Sequence, residues 1–583
     1  MVRALLNRMY KKATDLSLDI LIPVFILSLM LEMAHFFPTL RSINIWDEAS
    51  YVHAGYQLLT EGIWPVLAAS PLVSVLYALA IAPVRNSPNF FVQGIAIARI
   101  FLFTLIFFST TLIGRELKPY TNPWIILALV FIVPVATTMF LFPSDVLFAG
   151  ISGLAFWQML AFYNHRKRLH LWWASALMGL GMLARAEGLI LIGVMTIIVL
   201  VISLPSRNWY KNLISVLLPF FILVCGYVLI YGMATGNFNA GLVDRTFNNF
   251  ESGHEVVYSQ TGIFTPTISA RLESRKYFGT PEENNYSVFR AILRNPEMYL
   301  IRLRHAVPSF MHFAVKAYGN KFLLIFIWLA IRGLVALIKG KHFPLALMGV
   351  LWLSPLAVGW INTFFREGYF LMPYFVIFTL VGIGLTAILD HFDQRSEKIG
   401  LVVGAFLLIL VSILAANTSM LYRGVLFIFG LGLVYLLRWR ISDMDHWKNQ
   451  ALWLLLAVVL IIRGGYLPPT LPRYGDTPLE QSVYFLQEQL PTGSKVLAGA
   501  PANLWAARMT YYGINSYDIP GFADADEFLV WVQVQSIKAI YVDEHFPEVF
   551  VNLVNAHVGN GLEEVYAVPD RSIRIYLVVE ELP

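Results

Sequence analysis

Apolar stretches of about 20 residues recur along most of the chain, and this feature constrains its fold more than any other. A helix needs about 20 apolar residues to cross the hydrocarbon core of a bilayer. Hydrophobic residues make up 57% of the 583 residues and charged residues 14%, which is too little charge to coat several soluble domains. We therefore expect an α-helical polytopic membrane protein with about 13 transmembrane helices. The predicted spans lie near 18–37, 91–113, 121–143, 145–163, 171–187, 188–204, 212–233, 320–338, 343–364, 369–389, 399–418, 420–437 and 451–467.

The same composition argues against several other classes of protein. The net charge is only +5, and basic residues in a membrane protein report its orientation, so no nucleic-acid partner is predicted. The single cysteine, Cys225, cannot form an internal disulfide. The sequence contains no phosphate-loop, HExxH, CxxC or GxSxG motif, so it gives no indication of an ATP-driven motor.

Clusters of lysine and arginine indicate which loops face the cytoplasm. Alternation between these clusters predicts a cytoplasmic N-terminus and an extracytoplasmic C-terminus. A plasma (inner) membrane is the expected location, because it is the commonest one for this architecture. The stretch Pro71–Val84 is bounded by prolines and is too short for a full span, so a re-entrant or interfacial segment is expected; a full crossing would invert that region. The cytoplasmic clusters are Arg3, Arg8, Lys11 and Lys12; Arg166, Lys167 and Arg168; Arg207 and Lys211; Lys339 and Lys341; Arg395 and Lys398; and Arg438 and Arg440.

The chain divides by composition into a membrane part and a soluble tail. Residues 1–467 are predicted to form the transmembrane domain, with outer loops at about 38–90 and 234–319, and residues 468–583 an extracytoplasmic domain. A proline-rich segment, YLPPTLPRYGDTP, marks the boundary. The pattern of the tail predicts a small α/β fold. Its predicted elements are a helix (LEQSVYFLQEQL), a strand (KVLAGA), a helix (DEFLVWVQVQ), a strand (KAIYVDE) and a hairpin (LEEVYAV and IRIYLVV).

Ionisable residues near the predicted membrane ends are the candidates for function, because such charges usually line a cavity or pathway. Asp47 and Glu48 follow the first span in INIWDEASYVHAGYQLL, where the apolar spacing predicts an amphipathic helix on the membrane. Two interpretations of Asp47 stay open: a helix N-cap, or a general base whose pKa is raised by partial desolvation. Tyr51 on this helix is a candidate lining residue.

Further charged residues lie at the ends of other predicted spans. Asp145, in LFPSDVLFAG, is either a helix cap or a second acidic group, which could share a metal or divide acid and electrostatic roles with Asp47. Arg185 and Glu187, in GMLARAEGLILI, lie where two apolar runs meet. They either pair with each other in a short turn or line a site.

Arginines on the predicted outer side are candidates for binding phosphate, because a guanidinium binds phosphate oxygens bidentately. Arg366 lies beside Glu367 and Tyr369 in INTFFREGYFLMPYF. A positive charge on the outer side is unusual, because lysine and arginine are enriched in cytoplasmic loops. Arg290 and Arg294 share a helical face in VFRAILRNPEMYLIRLRHAVPSF, for which a solvated or headgroup-facing helix is the alternative. The same stretch also carries Arg302, Arg304 and His305.

The order and sidedness of these features resemble the GT-C glycosyltransferases, and within them the bacterial branch of aminoarabinose transferases and protein O-mannosyltransferase-like enzymes. The resemblance rests on the number of spans, on WDEASY in a long first outer loop and on the acidic residue after span three. It rests also on LARAEG, on REGYFLMPYF and on the outer α/β domain, so it covers most of the chain.

The resemblance implies an enzyme that transfers a sugar from a polyprenyl-phosphate donor to a lipid, glycan or protein acceptor at the outer face. It implies that Asp47 is the base that deprotonates the acceptor hydroxyl for in-line attack on the anomeric carbon. Glu48 would assist, Asp145 would match the second acidic position, and Arg185, Glu187 and Tyr51 would line the site. The implied contacts to the donor phosphate are Arg366, Tyr369 and either Arg290 or Arg294.

One departure from the family leaves donor contacts and metal use open. Related transferases often carry an acidic residue and Lys-Pro where this chain has Ala69-Ser70-Pro71. No cofactor is predicted, and a divalent metal is an alternative that stays open. A transporter or flippase of lipid-linked glycans, a glycan ligase and a non-catalytic scaffold are the other functions considered; the transferase requires Asp47 and Arg366 to share one outer pocket.

Overall fold

The computed structural model describes residues 47–63, 70–87, 90–122, 126, 142–204, 208–236, 238, 242–258, 267–318, 323–390, 478–514, 522, 524–570 and 572–579. The chain divides into two compact units. The first comprises Met1–His53, Ala80–Arg99 and Pro469–Pro583, and the second comprises Ala54–Leu79 and Ile100–Pro468. The domain boundary predicted at 467/468 lies outside the described residues and stays a prediction.

Up to residue 390, the described part of the chain is helical. Its helices are α1 (Asp47–Thr60), α2 (Pro71–Ile81), α3 (Phe90–Glu116), α4 (Pro143–His165), α5 (Arg168–Ala184), α6 (Gly188–Ser203), α7 (Trp209–Thr235), α8 (Leu242–Ser252), α9 (Glu255–Tyr258), α10 (Thr267–Phe278), α11 (Val288–Arg294), α12 (Pro296–Tyr318), α13 (Leu323–Lys339), α14 (Phe343–Leu351), α15 (Pro355–Asn362) and α16 (Tyr374–Asp390). Two 3-10 turns, Ala82–Val84 and Glu367–Leu371, accompany them.

Several of these helices are those of a membrane-embedded protein. Within the described residues, four stretches are long and apolar enough to cross a membrane: Phe90–Glu116, Pro143–His165, Trp209–Met233 and Phe343–Asn362. They coincide with the spans predicted near 91–113, 145–163, 212–233 and 343–364, although the last is interrupted between α14 and α15. The apolar helix Pro71–Val84 is shorter than a span, as the sequence predicted.

The total of about 13 spans stays a prediction. Helices α5, α6, α13 and α16 occupy four further predicted spans, but they are only 16 or 17 residues long. The other predicted spans lie mostly or wholly outside the described residues; they are 18–37, 121–143, 399–418, 420–437 and 451–467.

Two interruptions of the helical backbone bring polar residues together in the second unit. Helix α5 ends at Ala184, Arg185 is extended (φ −154°, ψ 139°), and α6 begins at Gly188. Helix α15 ends before Thr363, which is left-handed (φ 53°), and the chain is extended again at Arg366 before the 3-10 turn. An interrupted helix leaves backbone groups that side chains must satisfy, so polar residues collect at such points.

Helices α13 and α16 approach each other so closely that only glycine fits at their contact. A Cβ built on Gly333 would lie 2.0 Å from the carbonyl oxygen of Leu380, and one on Gly384 would lie 2.0 Å from that of Leu329. Small residues at a helix interface let two backbones pack closely, which is a common basis of helix association in membranes.

The C-terminal residues of the first unit form a five-stranded sheet in the described part of the chain, in the order β2-β1-β3-β5-β4. Strands β1 and β2, and β1 and β3, pair in parallel, whereas β5 pairs antiparallel with β3 and β4. The strands are β1 (Lys495–Ala498), β2 (Thr510–Gly513), β3 (Ala539–Val542), β4 (Leu562–Ala567) and β5 (Arg574–Val578). The helices are α17 (Pro478–Gln489), α18 (Ala502–Ala506), α19 (Ala525–Val534) and α20 (Glu548–Ala556).

The small α/β domain predicted for the tail is confirmed, and the structure adds β2, α18 and α20, which the sequence pattern does not predict. Its core places buried strand residues such as Leu497, Ile540 and Tyr576 against Phe528 of α19 and Val554 of α20. Strand β2 is only four residues long, and its sequence, TYYG, lacks the alternation of apolar and polar residues that identifies a strand. None of its residues is fully buried.

We predict that Gly333→Ala destabilises the protein, whereas Gly193→Ala does not. Alanine raises helix propensity at both sites by about 1 kcal/mol. At Gly333 the new methyl meets a backbone carbonyl, and overpacking of this kind costs about 1–3 kcal/mol, whereas at Gly193 no atom lies within 4 Å. Thermal unfolding of the detergent-purified full chain measures both; equal melting midpoints would contradict the close contact.

Candidate active site

A buried ionic cluster forms in the second unit where α4, the α5–α6 interruption and the 3-10 turn meet. Asp145 lies in the first turn of α4, Arg185 and Glu187 lie in the interruption, and Tyr369 lies in the 3-10 turn. All four side chains are buried. The sequence had singled out each of them separately, and the fold brings all four together.

Arg185 is the centre of this cluster. Its Nη1 donates to Asp145 Oδ1 at 2.5 Å, and its Nε and Nη2 donate to the two carboxylate oxygens of Glu187 at 3.1 and 2.7 Å. Its guanidinium carbon lies 5.0 Å from the centroid of the Tyr369 ring, a cation–π distance. The predicted pairing of Arg185 with Glu187 is therefore present, and Asp145 is a second partner of the same arginine.

Gly368 lets the 3-10 turn lie directly against Asp145. A Cβ built on Gly368 would be 2.6 Å from Asp145 Oδ2, closer than real Cβ contacts. The neighbouring Glu367 forms an ion pair with Lys316 of α12. The segment from Arg366 to Tyr369 is thus held at its far end by the buried cluster and beside Arg366 by an ion pair.

Arg366, at the start of this segment, is exposed and offers the kind of group that binds an anion. Its guanidinium carbon lies 4.8 Å from the ring centroid of Phe364. Burial raises the pKa of Glu255 on α9, and the positive charge of Arg366 opposes that rise. An exposed guanidinium presents several donors in a fixed plane, which suits bidentate binding of phosphate oxygens. Phosphate binding by Arg366 stays a prediction.

A second buried arginine, Arg302 of α12, fixes the chain just before Arg366. Its Nε and Nη2 donate to Thr363 Oγ1 at 2.9 and 2.6 Å, and Nη2 also donates to the carbonyl oxygens of Phe250 and Asn362 at 2.6 and 2.9 Å. Among the described residues no carboxylate pairs with it. Burial therefore lowers the pKa of Arg302 to about 9.

Arg290 and Arg294, rather than Arg302, are the predicted phosphate ligands of that stretch. Both of these are exposed, and Arg294 Nη1 donates to Glu283 Oε2 at 2.5 Å. A signal for Arg302 was available, because Met298, Arg302 and Ala306 follow one another at helical i, i+4 spacing and so share a face. That face is the buried one, since Arg302 and Ala306 are both fully buried.

In the first unit, the described part of α1 covers Asp47–Thr60, and Glu48 is anchored by a buried ion pair. The helix N-cap interpretation of Asp47 stays a prediction. Glu48 is 0% exposed and Arg99 of α3 is 1% exposed. Arg99 Nε donates to Glu48 Oε1 at 3.0 Å, and a second bond joins Arg99 Nη2 to Glu48 Oε2. Tyr51, one turn further on, is buried. The bidentate pair makes Glu48 an anchor of α1, and its expected assistance in catalysis stays a prediction.

Two expectations about the site are not tested by the structure. Asp47 and Arg366 belong to different compact units, so their common pocket stays a prediction. Within the part of the chain that the structure describes, no group of three or more histidine, cysteine, aspartate or glutamate side chains is placed to hold a metal ion. The question of a divalent metal, left open by the sequence, stays open.

The helical architecture and the ionic clusters at helix ends define a polytopic membrane fold, and solved structures show which one. The chain matches ArnT from Cupriavidus metallidurans in the apo state with a TM-score of 0.56 and 12% identity, and ArnT bound to undecaprenyl phosphate with 0.55 and 13%. Each match covers 95% of this chain and 98% of the ArnT chain. The predicted resemblance to GT-C glycosyltransferases is therefore confirmed at the level of the fold.

Other comparisons add little to this result. The archaeal oligosaccharyltransferase AglB from Archaeoglobus fulgidus, solved with an inhibitory peptide and a dolichol-phosphate, matches with a TM-score of 0.45 and 11% identity. That match covers 95% of this chain and 74% of that chain. No protein-family model and no curated protein sequence matches the chain.

We predict that Arg185→Gln destabilises the protein by about 3–5 kcal/mol, because it leaves two carboxylates buried without their cation. The triple variant Arg185→Met, Asp145→Asn, Glu187→Gln removes all three charges and should recover most of the loss. Thermal unfolding of the purified proteins provides the measurement. If the triple variant is no more stable than Arg185→Gln, the three charges do not hold α4 and the α5–α6 interruption together.

Proposed function

We propose that the protein is a membrane glycosyltransferase that moves a sugar from a polyprenyl-phosphate donor to an acceptor at the extracytoplasmic face. The observation that carries the proposal is the exposed Arg366, three residues from the buried cluster of Asp145, Arg185, Glu187 and Tyr369. The fold supports it, since one of the ArnT structures of this fold is bound to undecaprenyl phosphate.

The chemistry of such a donor fits the groups that the chain offers. A polyprenyl phosphate is a leaving group already anchored in the bilayer, so the enzyme needs no nucleotide site. It needs positive charge on the departing phosphate and a base for the incoming hydroxyl. In this proposal Arg366 supplies the positive charge, Tyr369 stays a candidate contact to the phosphate, and the buried cluster keeps the segment that carries both in place.

The proposed reaction is an in-line displacement with inversion at the anomeric carbon. Asp47 accepts the proton of the acceptor hydroxyl while the acceptor oxygen bonds to the anomeric carbon. The bond from that carbon to the phosphate oxygen breaks, and polyprenyl phosphate leaves with both electrons of that bond. Glu48, through its ion pair with Arg99, fixes the backbone beside Asp47.

The proposal includes a location and leaves the sugar class undefined. The protein is placed in the plasma (inner) membrane, with its N-terminus in the cytoplasm and its C-terminal domain outside. The sugar is a hexose or a pentose, and the acceptor is a lipid, a glycan or a protein. A panel of labelled undecaprenyl-phosphate sugars, with membrane extract as the acceptor, is the assay that identifies both.

We predict that Asp47→Asn abolishes sugar transfer in this assay, lowering the rate by at least about a hundredfold because the base is lost. Asp526→Asn is a matched control, since Asp526 also lies in the first turn of a helix and is 90% exposed. The control should transfer at the rate of the unaltered protein.

Each other outcome of this assay has a defined meaning. Equal transfer by the unaltered protein and Asp47→Asn removes Asp47 as the base. Failure of the unaltered protein to transfer from any donor, together with movement of the labelled lipid across vesicles, identifies a transporter instead.

We also predict that Arg366→Gln weakens binding of undecaprenyl phosphate more than Arg294→Gln does. Loss of a charged hydrogen-bond donor costs about 1.5–3 kcal/mol, which is roughly a tenfold to hundredfold loss in affinity. Arg294 lies on α11, outside the segment proposed to hold the phosphate, so its removal should change the affinity by less than about threefold. A fluorescence titration of the purified proteins with undecaprenyl phosphate measures both; the reverse order would move the phosphate to α11.

A further inference from the structure

The C-terminal domain of the first unit contacts the start of α1 directly. The Trp505 ring of α18 lies parallel to the imidazole of His53, with ring centroids 4.6 Å apart and 4° between the planes. Three residues later, the guanidinium carbon of Arg508 lies 4.9 Å from the ring centroid of Phe90, the first residue of α3. The short segment from Trp505 to Arg508 therefore contacts α1, which carries Asp47, and α3, whose Arg99 pairs with Glu48.

These contacts complete a closed ring of interactions within the first unit. Glu48 and His53 of α1 are held by Arg99 and Trp505, and Phe90, on the same helix as Arg99, is held by Arg508. Arg99 lies nine positions after Phe90 on α3, a rise of about 13.5 Å along the helix. Helix α1 is thus fixed from two directions, once by a membrane helix and once by the soluble domain.

The turn that makes these contacts is itself rigidly attached to the sheet. Asn503 Nδ2 donates to the hydroxyl of Tyr541 at 3.0 Å, and Tyr541 lies on β3 and is fully buried. Gln487 Nε2 donates to the carbonyl oxygen of Ala506 at 3.1 Å. Arg508 has a positive φ of 61°, a conformation that is uncommon for a non-glycine residue.

The chemistry of the His53 contact is that of a flat aromatic stack. Burial lowers the pKa of His53 to about 4, so the imidazole is neutral at pH 7. A neutral ring 4.6 Å from an indole packs as an aromatic pair, and such pairs stabilise a contact beyond the effect of the area that they bury.

We propose that the C-terminal domain is a positioning element of the enzyme, in which Trp505 and Arg508 hold the first turns of α1 and thereby the backbone that carries Asp47. This inference rests on the proposed function, in which Asp47 is the base. It assigns the C-terminal domain a role in turnover, through the position of the backbone that carries Asp47.

Hydrogen exchange of the full-length protein in detergent tests the contact without any assay of activity. The amides to follow are those of Tyr51 to Gln57, which are the first amides of α1 with intrahelical acceptors. Trp505→Ala should accelerate their exchange about threefold to tenfold, while β1 and β3 keep their protection. His53→Ala should do the same, although alanine is the better helix former and by propensity alone would slow exchange.

Trp531→Ala is the matched control for the tryptophan variant. Trp531 packs on Phe522, Phe528 and Tyr512 inside the domain, so its loss should loosen the domain core and leave α1 unchanged. If Trp505→Ala and His53→Ala both leave exchange in α1 unchanged, the domain does not hold α1 and the inference is wrong. Because His53→Ala leaves the domain intact, unfolding of the Trp505 variant does not prevent a decision.

Turnover tests the consequence for catalysis. With the undecaprenyl-phosphate sugar found to be a donor, Trp505→Ala should lower kcat about tenfold to a hundredfold and change the donor KM by less than about twofold. Trp505→Phe keeps a ring in place and should restore most of kcat. Unchanged kcat in Trp505→Ala contradicts the positioning role. Full activity of Asp47→Asn contradicts the proposed function instead, and the exchange experiment then still decides whether the domain holds α1.

Discussion

The meeting of α4, the α5–α6 interruption and the 3-10 turn depends on a buried cation, Arg185, placed between the carboxylates of Asp145 and Glu187. Glu187 accepts from two nitrogens of Arg185, and Asp145, in the first turn of α4, accepts from the third. Loss of the arginine would leave two carboxylates buried without their cation, which costs several kcal/mol, so this group favours contact between α4 and the α5–α6 interruption. Tyr369 and Gly368 pack on the same group and bring the 3-10 turn with them. One electrostatic requirement thus determines where three distant segments of the chain meet.

The second unit contains another buried arginine, Arg302, which is not paired with a carboxylate among the described residues. It is also a fully buried cation, but its Nε and Nη2 donate to carbonyl oxygens and the Thr363 hydroxyl rather than to a carboxylate. Carbonyl oxygens carry only partial charge, which is why burial depresses its pKa. The arrangement holds Thr363 in a left-handed conformation and so sets the direction in which the chain leaves towards Arg366.

Much of the fold and part of the site could be predicted from the sequence. Runs of apolar residues identify membrane helices because a bilayer requires a fixed length, and Arg185 and Glu187 stood out because charge is rare inside such runs. The partners of these charges could not be predicted, since Glu48 pairs with Arg99 across 51 residues and Asp145 with Arg185 across 40. Arg302 was passed over because its burial depends on α8 and α10, which lie elsewhere in the sequence.

The same arrangement occurs in both units: a proposed functional residue lies directly beside a buried ion pair supplied by another helix. Asp47 precedes Glu48, which is paired with Arg99, and Arg366 precedes the turn that lies on Asp145 and Arg185. A buried ion pair often stabilises a protein no more than apolar residues of the same size would. Its advantage is geometric, because opposite charges in an apolar environment accept few alternative arrangements. Displacement at an anomeric carbon requires its groups to be placed to within a fraction of an ångström, and backbone fixed by buried charge is suited to that demand.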